Sequence, residues 1–215
     1  MIKEKAEAKA IKYVKEGWGS RAAVFHAVYD LFETDISLET CNRICCILSP
    51  FTAAASAIYE NGKGYGLTIC GALAGALAAF SLVHGPKELP YGFWTEGMKP
   101  DGWLREVLDN PDISPEEKVR IFYDRGKSLF SPTQQIVRSF KEHFGATDCL
   151  YLEEPYGDPI SRECFRNCGK VIVPWTAGMV AQIILDYEKN PDQFEVDDRN
   201  VHMTVVRKSK GDISL

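Results

Sequence analysis

The chain has 215 residues, enough to bury one sizeable core. Apolar residues make up 45% and charged residues 26%, the balance of an ordinary globular protein and not of a disordered one. A formal net charge of -5 argues against the basic face that nucleic-acid binding requires.

Helical patterns dominate from the start. Ile2 to Glu16 carries Ala6, Ala10, Tyr13 and Val14 at helical intervals, and Gly17-Trp18-Gly19 breaks the run. The same segment, MIKEKAEAKAIKYVKEG, is charged at helical spacing and lacks the apolar centre of a secretory signal. The expectation is a cytoplasmic protein with reduced thiols. Ser20 is placed to cap a second helix, Arg21 to Phe32, with Val24, Phe25, Val28 and Leu31 on one face. Ser37 caps a third, Leu38 to Leu48, before Pro50. A short helix is expected over Ala53 to Tyr59, closed by Asn61-Gly62.

Glycines 62, 64 and 66 lead into Leu67 to Val83, an uncharged run in which Cys70 begins a series of small residues. It falls short of the roughly 20 apolar residues a membrane span needs. It is also rich in Ala and Gly and has no polybasic flank, so a buried soluble helix is expected and no span. Residues 84 to 100 are loop-like, and Trp103 to Leu108 suits a short helix. Ser114-Pro115-Glu116-Glu117 is a helix start, with a cap, a first-turn proline and acids at the positive end of the dipole. Ser131-Pro132 repeats the signal for a helix to Phe144, closed by Gly145. Ser161 caps the segment bearing Cys164 and Cys168, and Ala177 to Tyr187 is amphipathic. Strand character is confined to Val201 to Val206. The expected fold is mainly α with little β, a single domain over residues 1–215 with an extended loop or insertion around 84–130.

Seven cysteines stand out: Cys41, Cys45, Cys46, Cys70, Cys149, Cys164 and Cys168. In a reducing compartment such a set more often marks metal binding or redox chemistry than structural disulfides. Cys41 and Cys45 are four apart, as are Cys164 and Cys168, which on a helix places each pair on one face about 5–6 Å apart at Cβ. That separation suits two ligands of one centre better than a disulfide, whose Cβ atoms approach to about 3.8 Å. Thiolates match iron–sulfur clusters, zinc or Cu(I). The competing reading is a small apolar filler, and Cys46, beside Ile44 and Ile47, leans that way. Cys70 heads a helix, where the dipole and free N–H groups favour a thiolate. The small residues after it would let a bulky inorganic centre or another helix approach the backbone. Of the four histidines, His26, His84, His143 and His202, each reads first as a packed or exposed side chain. His84 and His143 adjoin the cysteine segments.

CGALAG (Cys70 to Gly75), FGATDC (Phe144 to Cys149) and CGKVIVPWTAGMVAQII (Cys168 to Ile184) together resemble the C_GCAxxG_C_C family of redox-active proteins. Split-Soret cytochromes c belong to the same broad group. The resemblance implies that Cys70, Cys149 and Cys168 are three of four characteristic cysteines. It also implies an iron–sulfur cluster, a redox partner protein and a homodimer. The fourth cysteine is expected after an E-G-aromatic pattern, where this chain has EGWGSRAAVF and places Ser20. Cys164 is the favoured replacement, with Cys41, Cys45 and Cys46 as the others. The chain lacks Cys-x-x-Cys-His, so covalent haem is not expected. The function expected is electron transfer on a cysteine-bound iron–sulfur cluster. The alternatives are a thiol–disulfide oxidoreductase with Cys70 as nucleophile and a zinc- or copper-binding structural module.

Overall fold

The computed structural model describes residues 1–48, 58–60, 63–65, 69–85, 107, 109–118, 127–153 and 162–194. The described part is mainly helical, as expected. Its elements are α1 (Ile2–Lys15), α2 (Ser20–Tyr29), α3 (Leu38–Ile47), β1 (Ile58–Glu60), β2 (Lys63–Tyr65), α4 (Gly71–His84), α5 (Lys127–Phe144), α6 (Cys149–Glu153), α7 (Arg162–Asn167) and α8 (Val173–Lys189). A π-turn, Cys168–Ile172, joins α7 to α8.

The core lies between two helix pairs, α1 on α8 and α2 on α4, which meet each other where α1 packs on α2 and α8 packs on both α2 and α4. α1 contributes Ala6 and Ala10, and small residues let its backbone lie close to α8. A Cβ at Gly178 of α8 would stand 2.6 Å from Glu7 Oε1 of α1. α5 adds Ile136 and Phe140 from one side. Fully buried aromatics and leucines such as Phe25, Phe80, Phe140 and Leu73 contribute about 1.5–3 kcal/mol each through removal from water. At the α1–α2 junction, Asp30 at the C-terminus of α2 accepts hydrogen bonds from Lys9 Nζ and Tyr13 Oη, both at 2.8 Å.

Several sequence expectations are refined by specific competitors. Ser20 is the first residue of α2 and not its cap; Gly19 occupies that position without a side-chain hydrogen bond. α2 also stops at Tyr29, three residues before Phe32. Ser37 does cap α3, its Oγ accepting from Thr40 N–H at 3.3 Å. Ser114 caps the turn after it in the same way, through Glu117 N–H at 3.1 Å. Residues 58 and 59, expected at the end of a helix, lie instead in a strand, with Ile58 opposite Tyr65 and Glu60 opposite Lys63. The two residues between the strands are Asn61 and Gly62, the dipeptide favoured in two-residue hairpin connections.

α5 begins at Lys127 and carries Pro132 inside it, so the Ser131-Pro132 start signal is overridden. The proline forfeits one i→i−4 bond, and the packed face of the helix offsets that loss. Gly145 closes α5 with φ +83°, its N–H bonded to the Lys141 carbonyl at 2.7 Å. Most of the 84–100 loop, residues 53–57 of the expected helix, residues 103–106, Ser161 and the C-terminal strand lie outside the described residues.

α4 answers the membrane question by length and burial. Its 14 residues rise about 21 Å, less than the hydrocarbon thickness of about 30 Å, and its sides pack into the core. Cys168–Lys189 is long and apolar enough to cross a membrane, but 61% of its most apolar window is buried, as in a core helix.

Candidate thiol site

α4 starts four residues later than its apolar run because the chain before it is used otherwise. Ile69 forms an isolated antiparallel bridge with Asp148. Next to it, Cys70 N–H donates to the Thr147 carbonyl at 2.9 Å. Cys70 is therefore held in an extended conformation, φ −54° and ψ 128°, as the N-cap of α4. Its own carbonyl opens the helix by accepting from Ala74 N–H at 2.9 Å. The residue is 1% exposed.

The same bridge positions Cys149. Asp148 pairs with Ile69, its carbonyl accepts from Leu152 N–H at 3.1 Å, and α6 begins at Cys149. In this register residue 70 faces residue 147. Cys70 and Cys149 each follow a bridging residue, so their backbone positions are diagonal neighbours across the bridge. Two cysteines far apart in sequence thus flank one bridge.

The glycines of CGALAG have a definite use. A Cβ at Gly71 would stand 2.6 Å from Ser20 Oγ, and one at Gly75 would press on the Arg21 carbonyl. What the small residues admit is therefore the first turn of α2. Ser20 lies one residue from Cys70 in space, at the position where the family resemblance expects a thiol.

Cys168 opens the π-turn and packs, half-buried, against the core. Cys164 sits in α7 on the preceding turn; its side chain is outside the described residues. The third group behaves differently. Cys41 and Cys45 are buried on α3, and Cys46 is exposed. Burial pushes the Cys41 thiol up, and it pushes Cys45 up to about 11 despite the opposing charge of Arg21. Both remain protonated at neutral pH, which opposes ligation and suits a filler role. The six described cysteines are thiols, not disulfides.

The histidines are packing groups in this fold. His26, 1% exposed, is enclosed by Tyr13, Trp18, Phe25 and Tyr29, with Trp18 at 4.7 Å. Burial lowers its pKa, while Asp30 and a hydrogen bond with Asn42 pull the other way. His84 lies between Phe80 and Tyr187, 3.6 Å from Glu188, and burial again lowers its pKa. His143 stacks on Trp175 with centroids 4.1 Å apart and planes 8° from parallel. His202 is outside the described residues. Among the described residues, no three His, Cys, Asp or Glu side chains are gathered at metal-ligand spacing.

A helical core with Cys70 heading α4 and Cys149 opening α6, each beside one bridge, defines a helical protein with paired cysteine-bearing helix starts. Residues 35–183 match the C_GCAxxG_C_C family, described as "Putative redox-active protein (C_GCAxxG_C_C)". The match spans well over half of the chain, and the chain belongs to that family. No curated protein and no solved structure matches it. Cys70, Cys149, Cys164 and Cys168 lie inside the matched residues, and Ser20 lies before them.

Proposed function

We propose that the chain is an electron-transfer protein in which Cys70 and Cys149 supply two thiolates to one iron–sulfur cluster. Cys168 is the third ligand in this reading and Cys164, one turn before it, the fourth. The observation that carries it is the Ile69–Asp148 bridge, which sets Cys70 and Cys149 each one residue beyond a bridging partner. Diagonal neighbours across such a bridge have Cα atoms about 7–8 Å apart. That distance suits two ligands of one centre, whereas a disulfide needs Cβ atoms near 3.8 Å and so a shift of backbone.

When bound, an iron–sulfur cluster supplies one-electron exchange at a potential set by burial and by hydrogen bonds to sulfur. The chain's own contribution is to hold Cys70 almost fully buried and fixed by its backbone bond to Thr147. The reading asks Cys168 and Cys164 to close on the pair when the cluster binds. A redox partner protein, a homodimer and a cytoplasmic setting belong to the same proposal. The test is the ultraviolet–visible spectrum of anaerobically purified protein before and after dithionite, with iron and acid-labile sulfide assays. A coloured sample that bleaches and contains both elements is expected; a colourless, iron-free one sinks the reading. Zinc or Cu(I) found in place of iron assigns the thiols to a structural metal module.

The same pair allows a second reading, a thiol–disulfide couple, which requires that backbone shift and an opening that exposes the buried Cys70. Cys70 thiolate would attack a substrate disulfide, and Cys149 would resolve the mixed disulfide, releasing the reduced substrate. Its signature is metal-free protein in which alkylation of Cys70 is fast and is abolished by oxidation. Uniformly slow alkylation of all thiols removes it.

A further inference from the structure

The helix that carries Cys168 is irregular at one place, and the sequence supplies the cause. Val173 N–H reaches back five residues to the Cys168 carbonyl, the bond that defines the π-turn. The next residue, Pro174, has no N–H to donate, and in a regular α-helix its ring would press on the carbonyl of Lys170. The wider turn relieves that conflict. Downstream the helix is clamped: Val173, Thr176, Ala177, Val180 and Ile184 are fully buried, and Thr176 Oγ1 donates to the Ile172 carbonyl at 2.6 Å. Upstream, Lys170 and Val171 are exposed. A change in the turn is therefore taken up on the Cys168 side.

Helix geometry gives the direction. Counting back from Val173, Ala177, Val180 and Ile184 at about 100° per residue, an unbroken α-helix places Gly169 on the core side and turns Cys168 toward solvent. The extra residue in the π-turn moves Cys168 into the angular position Gly169 would have held. The thiol is accordingly found half-buried against the core.

We infer that Pro174 is a positioning residue for Cys168: by imposing the π-turn it sets the thiol on the core side of the helix. The functional meaning of that facing rests on the reading of Cys168 as a working thiol, but the facing itself does not.

The test uses reduced, chelator-treated full-length protein, so it is independent of any metal. Alkylation by iodoacetamide is followed for each cysteine by peptide mass spectrometry, with the exposed Cys46 as internal reference. In Pro174→Ala, Cys168 is expected to react about tenfold faster relative to Cys46, while Cys41 and Cys45 keep their slow rates. Deleting the exposed Val171 in the Pro174→Ala background removes the extra residue and returns Cys168 to within about twofold of its original rate, since register is restored. An unchanged Cys168 rate in Pro174→Ala overturns the inference. So does a faster rate that the deletion leaves in place, or acceleration of Cys41 and Cys45 alongside it, because either marks general loosening and not a turned helix.

Discussion

The hydroxyl of Ser20 rests against the α-carbon of Gly71, so close that a β-carbon there would stand 2.6 Å from it. Gly71 follows Cys70, so the serine found at the expected cysteine position is a spatial neighbour of the best-held thiol. The family match begins at residue 35, which leaves this adjacency as structural information the match does not carry.

Restoring a thiol at that place gives the first expectation. Under the cluster proposal, Cys164→Ser lowers the iron content of anaerobic protein several-fold, and Ser20→Cys in the same chain recovers it. Iron and sulfide per protein are the measurement. Failure of the second substitution to recover iron would place the fourth ligand elsewhere than beside Gly71.

Gly75 tests the α2–α4 crossing. A Cβ there would press on the Arg21 carbonyl oxygen and meet the carbonyl carbon at 3.1 Å, all of it backbone that cannot swing aside. Gly75→Ala is expected to cost about 1–3 kcal/mol in denaturant unfolding, the range for overpacking a close contact. For Gly71→Ala the one contact under 3.0 Å is a serine hydroxyl, so most of its cost should vanish in the Ser20→Gly background.

Cys45 makes stability depend on alkaline pH. Its folded-state pKa, about 11, lies above the ordinary 9.0 because burial disfavours the thiolate. A raised pKa gives a contribution that is complete below pH 9 and is lost as pH rises toward 11. The stability difference between the parent and Cys45→Ala, measured by urea denaturation, should therefore shrink across that window. A pH-independent difference would show that the thiol is not desolvated.

His26 acts at the acid end. Burial among Tyr13, Trp18, Phe25 and Tyr29 lowers its pKa, so the folded state prefers the neutral ring. The associated stability is present above the unfolded value of about 6.5 and declines as pH falls through the lowered one. His26→Phe should flatten the fall in denaturation midpoint below about pH 6.5. His84 adds a slope of the same sign, since burial lowers its pKa against the opposing charge of Glu188.

Periodicity sufficed for the helices whose packing agrees with their local pattern. α1 and α3 were legible to within a residue or so at either end, and Ser37 and Gly145 act as cap and stop in the way their types suggest. The misjudged places are those where a distant partner decides. Leu67 to Val83 looks like one helix until Ile69 is claimed by Asp148, a pairing no local window contains. Ser20 looks like a cap, yet Gly19 takes that role and the hydroxyl turns to Gly71. Tyr59 reads with the alanine-rich run before it as the end of a helix closed by Asn61-Gly62, yet it lies in a strand paired with Lys63–Tyr65. Of the site, Cys70 as a helix-heading thiol was legible, and the small residues after it were correctly taken to admit a close neighbour. Which neighbour they admit was open until α2 was in place. The π-turn at Cys168 had a sequence signal, Pro174 six residues on, that only a known continuous helix makes readable.

The bridge between Ile69 and Asp148 joins residues about eighty apart along the chain, and closing so long a loop costs entropy that core packing must offset. A pair of cysteines separated by two residues survives unfolding and can hold a metal in a denatured chain. The Cys70–Cys149 pair dissolves with the fold. Any centre gripped across it therefore binds the native state alone and raises its stability by mass action. Loss of that centre and loss of the helical core become one cooperative event, so colour or thiol exposure would serve as a direct gauge of unfolding.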